Sequence, residues 1–373
     1  MESSVSEIAT EKRVKSPLAE SIVKKRAARI PTISREVRLV SRPHGLPVPD
    51  DFAQVRVEVP PPGEDQVLVR NLFMSVDPYM RGRMNDVSSY VSPFQLDQPL
   101  DGAAVGEVIE SRAPGIAVGD IVTSRLGWRE YFVSGAREVR VVDRRVRPLS
   151  AYLGALGMTG LTAWAGLNLV DVKAGDRVLI SAAAGAVGSV AGQLAKLRGC
   201  RVVGSAGSGE KVTMLVKELG FDSAFNYKDG DLAGQLNAAA PEGIDVYFDN
   251  VGGEMLEAAL SAMRPNGRII ACGAIGGYND EAPKSGPRNL PLFIGKRLTM
   301  KGFIVGDWFD RMPEFVKEMN LHIAGGKLVV KETVVQGIER APHAFVDLLR
   351  GGNIGKMVVR LTREDSGEAH VGD

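Results

Sequence analysis

The sequence of 373 residues is poor in cysteine and histidine. Its two cysteines, Cys200 and Cys272, are too few for a disulfide framework or for a structural zinc site, which needs about four clustered cysteines. A catalytic zinc needs three protein ligands, and the four histidines show no pairing at ligand spacing. These are His44, His322, His343 and His370. We therefore expect no bound metal, and no oxidation of alcohols that depends on a Lewis acid.

An excess of charge and a long apolar run are also missing. The formal net charge of +1 gives no general attraction to nucleic acid or to an anionic membrane. The longest weakly polar run, Val178–Ala195, is interrupted by three glycines, two serines and a glutamine, which argues against a membrane span. We expect a small-molecule partner, with no nucleic acid and no membrane. Two cysteines in apolar runs suit buried, reduced thiols, so the expected localisation is cytoplasmic.

The two ends of the chain differ from the rest in composition. Residues 1–32 are rich in charge and have no apolar stretch of the kind found in secretory signals, so we expect a flexible N-terminal tail. The basic run Lys24–Arg29 within it would also suit a nuclear address or an anion-binding patch. Residues 363–373 are predicted to form a polar C-terminal tail.

The pattern of apolar residues changes twice along the chain. Residues 33–150 contain short apolar runs separated by proline and glycine, which predicts a compact antiparallel β unit, like a sandwich or barrel. Residues 151–326 alternate helical stretches with single apolar strands, which predicts a parallel sheet covered on both faces. Short strands return in residues 327–362, and we expect them to rejoin the first unit. The predicted fold class is α/β, a doubly wound parallel sheet beside a β domain.

A glycine-rich turn lies between the first strand and first helix of the predicted parallel sheet. In "VLISAAAGAVGSVAGQLAKL", Gly185 and Gly188 occupy the second and third glycine positions of G-x-G-x-x-G, and Ala183 occupies the first. Such a turn lets the backbone approach a pyrophosphate at the helix N-terminus. The alternative is a turn with a purely structural role.

The end of the second strand indicates which dinucleotide binds. NAD sites usually place an acid here for the ribose hydroxyls, whereas this chain has "GSAGSGEK", with Ser208 and Lys211. A hydroxyl and an ammonium are suited to a 2′-phosphate, so NADP(H) is the predicted cofactor. The alternative is that Lys211, next to Glu210, is an ordinary solvated residue.

Several motifs together are similar to one enzyme family. They are "SVDPYMRGRM", "GALGMTGLTAW", "AAAGAVGS", "GSGEK", "FNYK", "DNVGG", "CGAIGGYN" and "GNIGKMVV". In this order, over about residues 33–361, they resemble the zinc-independent medium-chain dehydrogenase/reductases that include prostaglandin reductases, leukotriene dehydrogenase, plant alkenal double-bond reductases and bacterial curcumin reductase. The resemblance implies a GroES-like β-barrel domain, built from both ends of the chain, against a Rossmann domain. It also implies a homodimer.

The resemblance implies a set of NADPH contacts. Those to the pyrophosphate are Gly185, Ala186, Val187 and Gly188, and those to the 2′-phosphate end are Ser208, Lys211 and Tyr227. Those around the nicotinamide half are Met158, Thr162, Asn250, Cys272, Gly273, Ala274, Ile275, Phe303, Ile304 and Val305. Asn353 is expected to close over the cofactor from the returning segment. Each of these residues could instead serve only turns and packing.

The implied activity is NADPH-dependent reduction of the C=C bond of α,β-unsaturated ketones or aldehydes. Tyr278 would stabilise the enolate, because a phenol with a pKa near 10 keeps its proton at neutral pH. By the same analogy Tyr79 faces the substrate. Tyr278 could instead be packed in its glycine-rich loop, and Tyr79 could be a half-buried domain residue. Arg81 and Arg83 invite a role in binding a carboxylate, but an ion pair is the favoured interpretation.

Two other functions stay open. A quinone reductase of the same superfamily would also need no zinc, although "DPYMRGRM" and "GGYN" resemble the enone branch. A non-catalytic NADP-binding protein is the other alternative, and the presence of Tyr278 argues against it. The composition of the loop from Asn85 to Leu100, which we expect to line the pocket, does not fix the shape of the pocket.

Overall fold

Three β-sheets form the framework of residues 33–282 and 284–362, which the computed structural model describes. One sheet has two strands, one has six and one has seven. The predicted tails, residues 1–32 and 363–373, lie outside the described residues.

The N-terminal region forms β-structure because its apolar side chains alternate or are buried on one face. Its strands are β1 (Ile33–Leu39), β2 (Phe52–Glu58), β3 (Gln66–Ser75), β4 (Ala104–Ser111), β5 (Ile121–Ser124), β6 (Tyr131–Gly135) and β7 (Arg140–Val142). Strands β1 and β2 pair with each other, and β3 pairs antiparallel with both β4 and β6. A short helix, α1 (Tyr79–Arg83), follows β3. Short 3₁₀ turns occur at Pro49–Asp51, Ala136–Glu138 and Leu149–Leu153.

The central region forms a six-stranded parallel sheet with helices between its strands. Its strands are β8 (Arg177–Ile180), β9 (Arg201–Ala206), β10 (Ser223–Asn226), β11 (Ile244–Asp249), β12 (Met263–Ala271) and β13 (Thr299–Gly302). Its helices are α2 (Met158–Leu169), α3 (Ala186–Leu197), α4 (Gly209–Lys217), α5 (Leu232–Ala239), α6 (Gly253–Ala262), α7 (Leu292–Lys296) and α8 (Met312–Ala324). The strand order β10-β9-β8-β11-β12-β13 is that of a doubly wound sheet, which confirms the predicted fold class.

Strand β8 shows why the sequence specifies a covered sheet. Val178, Leu179 and Ile180 are consecutive and fully buried, so both faces of the strand are covered by other elements. The strand order reverses between β8 and β11, and the carboxyl ends of these two strands therefore border the crevice in which such folds bind ligands. Within the described residues, no helix is both long and apolar enough to cross a membrane.

The last described segment joins the seven-stranded sheet of the N-terminal region. It contains β14 (Glu332–Gln336), α9 (Ala341–Leu349) and β15 (Lys356–Arg360). Strand β15 pairs antiparallel with β3, and β14 pairs parallel with β15. The parallel pair is a feature that the sequence pattern did not predict.

A buried ion pair holds β15 against the end of β3. The Lys356 ammonium lies 3.1 Å from a carboxylate oxygen of Asp77, and each side chain is 4% exposed. Lys356 also donates to the carbonyl oxygens of Val76, at 2.9 Å, and Met357, at 2.8 Å. Ser75 Oγ donates to the other carboxylate oxygen of Asp77. The segment that leads to Tyr79 is therefore fixed by a charged contact with the last strand.

We expect Lys356→Met to lower the free energy of unfolding by about 3 kcal/mol, because it leaves the Asp77 carboxylate buried without its cation. The double variant Asp77→Asn with Lys356→Met is expected to cost less than the single one. Urea denaturation followed by circular dichroism measures both. Arg145→Met, which removes an exposed ion pair with Asp143, is the control and should change little. Equal losses in the single and double variants would contradict the importance of the charge.

Candidate active site

The glycine turn between β8 and α3 is shaped for close approach. A Cβ on Gly188 would lie 2.5 Å from the carbonyl oxygen of Ala182, so no larger residue fits there. Gly185 precedes the first helical residue, and its amide donates to Ala182 O at 2.9 Å. Ala186 and Val187 form the first turn, where the N–H groups have no partner within the helix. The predicted pyrophosphate residues thus form a turn whose unpaired N–H groups could hold an anion.

The predicted 2′-phosphate residues also lie together. Ser208 caps α4, its Oγ accepting a hydrogen bond from the Lys211 amide at 3.3 Å. The Lys211 ammonium donates to Gly351 O at 2.5 Å. Tyr227, just after β10, lies beside Gly207. The Tyr227 hydroxyl oxygen would be 3.2 Å from a Cβ built on Gly207.

A second cation, Lys228, completes this cluster, and the sequence prediction missed it. Its Nζ lies 5.9 Å from the centre of the Tyr227 ring. Burial lowers the pKa of Lys211, and the positive charge of Lys228 lowers it further. An anion bound between two such ammonium groups would relieve their repulsion. The motif "FNYK" ends in this basic residue, but nothing in the sequence shows that Lys228 lies next to Lys211. Only the fold brings the two together.

The segment before β15 contacts the glycine turn. The Gly355 amide donates to Ala184 O at 2.8 Å, and Gly355 also forms a parallel β-bridge with Gly185. The Asn353 side chain is buried and donates to Gly355 O at 2.7 Å. Asn353 therefore shapes the backbone that lies against the cofactor turn.

An open cleft of about 690 Å³ lies beyond the carboxyl ends of β11, β12 and β13. Six of the predicted residues line it: Cys272, Gly273, Ala274, Tyr278, Phe303 and Ile304. It is also lined by residues that were not predicted: Asp249, Gly252, Leu256, Ala271, Met300, Gly302 and Asp307. The other predicted nicotinamide contacts are Met158, Thr162, Asn250, Ile275 and Val305, and none of them is part of this lining.

Hydrogen bonds fix the loops that border this cleft. The Asn250 amide side chain donates to Ser181 O at 2.8 Å, which joins the ends of β11 and β8. The Ile275 amide donates to Asn250 O at 3.1 Å, so the loop after β12 is held against the loop after β11. Thr162 Oγ1 donates to Met158 O at 2.8 Å, and its hydroxyl proton is therefore used within α2.

Tyr278 lies at the end of the loop after β12, partly buried. Its hydroxyl oxygen accepts a hydrogen bond from the Ala274 amide at 3.3 Å, which leaves its own proton to donate. Burial raises the pKa of Tyr278, with further contributions from Cys272 and Asp249. Burial likewise raises the pKa of Cys272 to about 12. At neutral pH the cleft thus presents a protonated phenol beside a protonated thiol.

Two more tyrosines come from the β domain. Tyr79 begins α1, and burial together with the charge of Asp77 raises its pKa. Tyr90, which was not predicted, is 65% exposed in the loop between Asn85 and Leu100. Partial desolvation and the neighbouring Tyr278 both raise the pKa of Tyr90, although most of the residue is exposed. The loop therefore brings a second phenol toward Tyr278.

The two arginines after Tyr79 are engaged in structural contacts. Arg81 donates to backbone oxygens of Pro43 and Gly45 and to the Asn85 side chain. Arg83 forms an ion pair with Asp101 and donates to Ser92 O at 2.8 Å, while its guanidinium carbon lies 3.9 Å from the centre of the Phe94 ring. These contacts favour the ion-pair interpretation for Arg83 over carboxylate binding.

The donor set for a zinc ion is not present in the described part of the chain. No group of three or more His, Cys, Asp or Glu side chains there is arranged to hold a metal ion. Cys200 is buried, its Sγ lies 3.3 Å from Lys173 O, and Cys272 belongs to the cleft wall.

Family comparisons match both halves of the chain. Residues 35–142 match the family described as N-terminal domain of oxidoreductase, and residues 186–320 match the one described as zinc-binding dehydrogenase. The chain is 41% identical to the NADPH-dependent curcumin reductase of Escherichia coli, over 88% of this chain and 96% of that protein. It is 44% identical to the NADP(+)-dependent 2-alkenal reductase of Nicotiana tabacum, over 89% and 98%.

A solved structure gives the same match in three dimensions. The crystal structure of CurA in complex with NADPH from Vibrio vulnificus superimposes with a TM-score of 0.84 at 39% identity. The match covers 88% of this chain and 99% of that one. The two chains therefore share the whole fold described here.

We expect Lys211→Ala to weaken binding of 2′,5′-ADP about tenfold, because it removes a charge-assisted contact with the 2′-phosphate. Binding of 5′-AMP, which lacks that phosphate, should change little. Lys228→Ala should behave in the same way, and Lys217→Ala, at the exposed end of α4, is the control. Isothermal titration calorimetry gives the dissociation constants. If Lys211→Ala weakened the binding of 2′,5′-ADP and of 5′-AMP equally, Lys211 would not be a 2′-phosphate contact.

Proposed function

Since the chain belongs to the medium-chain dehydrogenase/reductase family of the curcumin, alkenal and prostaglandin reductases, we propose that it is an NADPH-dependent enone or alkenal reductase. It reduces the C=C bond of α,β-unsaturated ketones or aldehydes. The observation that carries this proposal is the protonated phenol of Tyr278 in the open cleft at the ends of β11 to β13.

The residues of the two phosphate sites fit NADPH. The glycine turn has no room for a Cβ at Gly188, and Ser208, Lys211 and Lys228 supply a hydroxyl and two cations for a 2′-phosphate. The first turn of α3 offers N–H groups to the pyrophosphate. When bound, NADPH supplies the hydride that the β-carbon of the substrate accepts.

Tyr278 performs the electrostatic part of the reaction. Hydride addition to the β-carbon moves negative charge to the carbonyl oxygen of the substrate, and a hydrogen-bond donor lowers the energy of that enolate. The Tyr278 phenol can donate to the enolate, because its hydrogen bond with the Ala274 amide uses a lone pair of its oxygen and leaves its proton to donate. Its raised pKa keeps the proton in place throughout the neutral range. Tyr79 faces the substrate from the β domain.

We expect Tyr278→Phe to lower kcat/KM for an enone tenfold or more, because the variant has no proton to donate to the enolate. The dissociation constant for NADPH should not change. Tyr131→Phe, in strand β6, is the control. NADPH consumption is measured with short alkenals, bulky aromatic enones and quinones. Turnover of quinones without turnover of any enone would overturn the proposed substrate class.

The proposal includes a homodimer. Strand β13 is the edge of the parallel sheet, and all four of its residues are exposed. Met300 is 40% exposed and Ile304 is 39% exposed, so this edge also presents apolar side chains. Both residues also line the cleft, so a two-fold axis that pairs β13 antiparallel with its copy would place the dimer interface at the border of the cleft. The cytoplasm is the proposed compartment, because both cysteines are free thiols.

We expect the protein to elute as a dimer, and Met300→Asp to shift it to the monomer, because the dimer would bury the new carboxylate at the paired edges without a cation. Size-exclusion chromatography with light scattering measures the mass. Val118→Asp, at a position 66% exposed in the β domain, is the control. A monomeric wild-type protein would refute the proposed dimer.

A further inference from the structure

A buried carboxylate lies in the wall of the cleft and takes no part in the proposed chemistry. It belongs to Asp249, the last residue of β11, and its residue is 2% exposed. It lines the same cleft as Tyr278. The carboxyl end of β11 is in the second half of the doubly wound sheet, where such folds hold the nicotinamide part of the dinucleotide.

The hydrogen-bond partners that the described residues give this carboxylate are all neutral. Its Oδ1 accepts from the Tyr247 hydroxyl at 2.7 Å, from the Val251 amide at 3.0 Å and from the Gly252 amide at 2.8 Å. Ser181 Oγ lies 3.4 Å away. Buried acids are usually paired with a cation. The described residues give this one only neutral donors, so no neighbouring cation balances its negative charge.

The negative charge of Asp249 acts on side chains in the cleft wall. Asp249 contributes to the raised pKa of Cys272 and to that of Tyr278, two residues that line the cleft. Because solvent is excluded from its surroundings, a carboxylate here acts over a longer distance than an exposed one would. It can therefore distinguish two ligands that differ only in the charge of a ring in this cleft.

We propose that the buried carboxylate of Asp249 makes the cleft favour the positively charged ring of NADP⁺ over the neutral ring of NADPH. This inference rests on the proposed use of NADPH. The positive charge develops as the hydride leaves, so a negative charge fixed nearby stabilises the transition state as well as the oxidised cofactor. Asp249 is then a positioning residue with an electrostatic role, and it makes hydride donation easier.

The alternative is that Asp249 only holds the loop after β11, and one substitution separates the two roles. All three short hydrogen bonds end on Oδ1. An asparagine can keep them through its own oxygen, with its NH₂ group in place of Oδ2. Asp249→Asn therefore removes the charge and keeps the loop, whereas Asp249→Ala removes both.

Dissociation constants for NADP⁺ and NADPH are measured by isothermal titration calorimetry on the full-length wild-type protein and its variants. In Asp249→Asn we expect the ratio of the NADP⁺ constant to the NADPH constant to rise about tenfold. The control is Asp50→Asn, which removes an exposed carboxylate of the β domain outside this cleft and should leave the ratio near its wild-type value.

Tyr247→Phe provides a second variant that keeps the carboxylate. It removes one donor that partly neutralises Asp249, so the ratio is expected to fall about threefold, in the direction opposite to Asp249→Asn. If one variant does not fold, the other still decides the question. An unchanged ratio in the folded variants, or a change in Asp249→Ala without one in Asp249→Asn, would overturn the proposal.

This measurement needs no enone, so the two proposals fail separately. A protein that binds both nucleotides with the expected ratios but reduces no enone would refute the proposed substrate and support the role of Asp249. A wild-type protein that binds neither nucleotide would refute both.

Discussion

The contact between the segment before the last strand and the glycine turn connects the β domain with the parallel sheet. Gly355 makes it possible, because its backbone has a φ of 65° and a Cβ there would lie 1.9 Å from Lys331 O. Its amide binds Ala184 O, and the next residue, Lys356, forms the buried ion pair with Asp77. Two neighbouring residues thus connect the cofactor turn with the segment that carries Tyr79. The position of the glycine turn relative to Tyr79 depends on this connection.

The sequence was sufficient for features that follow from local pattern. Alternating apolar strands and helices predicted the parallel sheet, and the spacing of Gly185 and Gly188 predicted the turn between β8 and α3. Features that depend on contacts between distant segments were missed. Lys228 gains its role from Lys211, and Asp249 from the donors and the cleft around it. No local pattern distinguishes these two from ordinary charged residues.

Three side chains in the cleft or on the neighbouring helix α1 keep their protons at neutral pH. Burial raises the pKa of Tyr79, Tyr278 and Cys272, so each is a neutral hydrogen-bonding or apolar group at physiological pH. Neutral hydrogen-bond donors suit the proposed reaction, in which negative charge develops on the substrate oxygen in the transition state. They also leave the carboxylate of Asp249 as a source of field that nearby titration does not alter.

Arg83 has a consequence for how this protein could change over evolutionary time. From the end of α1 it contacts Ser92 O, the Phe94 ring and Asp101, and Leu100 is joined to β1 by a backbone hydrogen bond, so the second half of the loop after α1 is fixed. The residues between Arg83 and Ser92, including Tyr90, are mostly exposed. They can therefore mutate with little cost to folding. Sequence changes can therefore accumulate in this loop while the contacts that fix its ends stay unchanged.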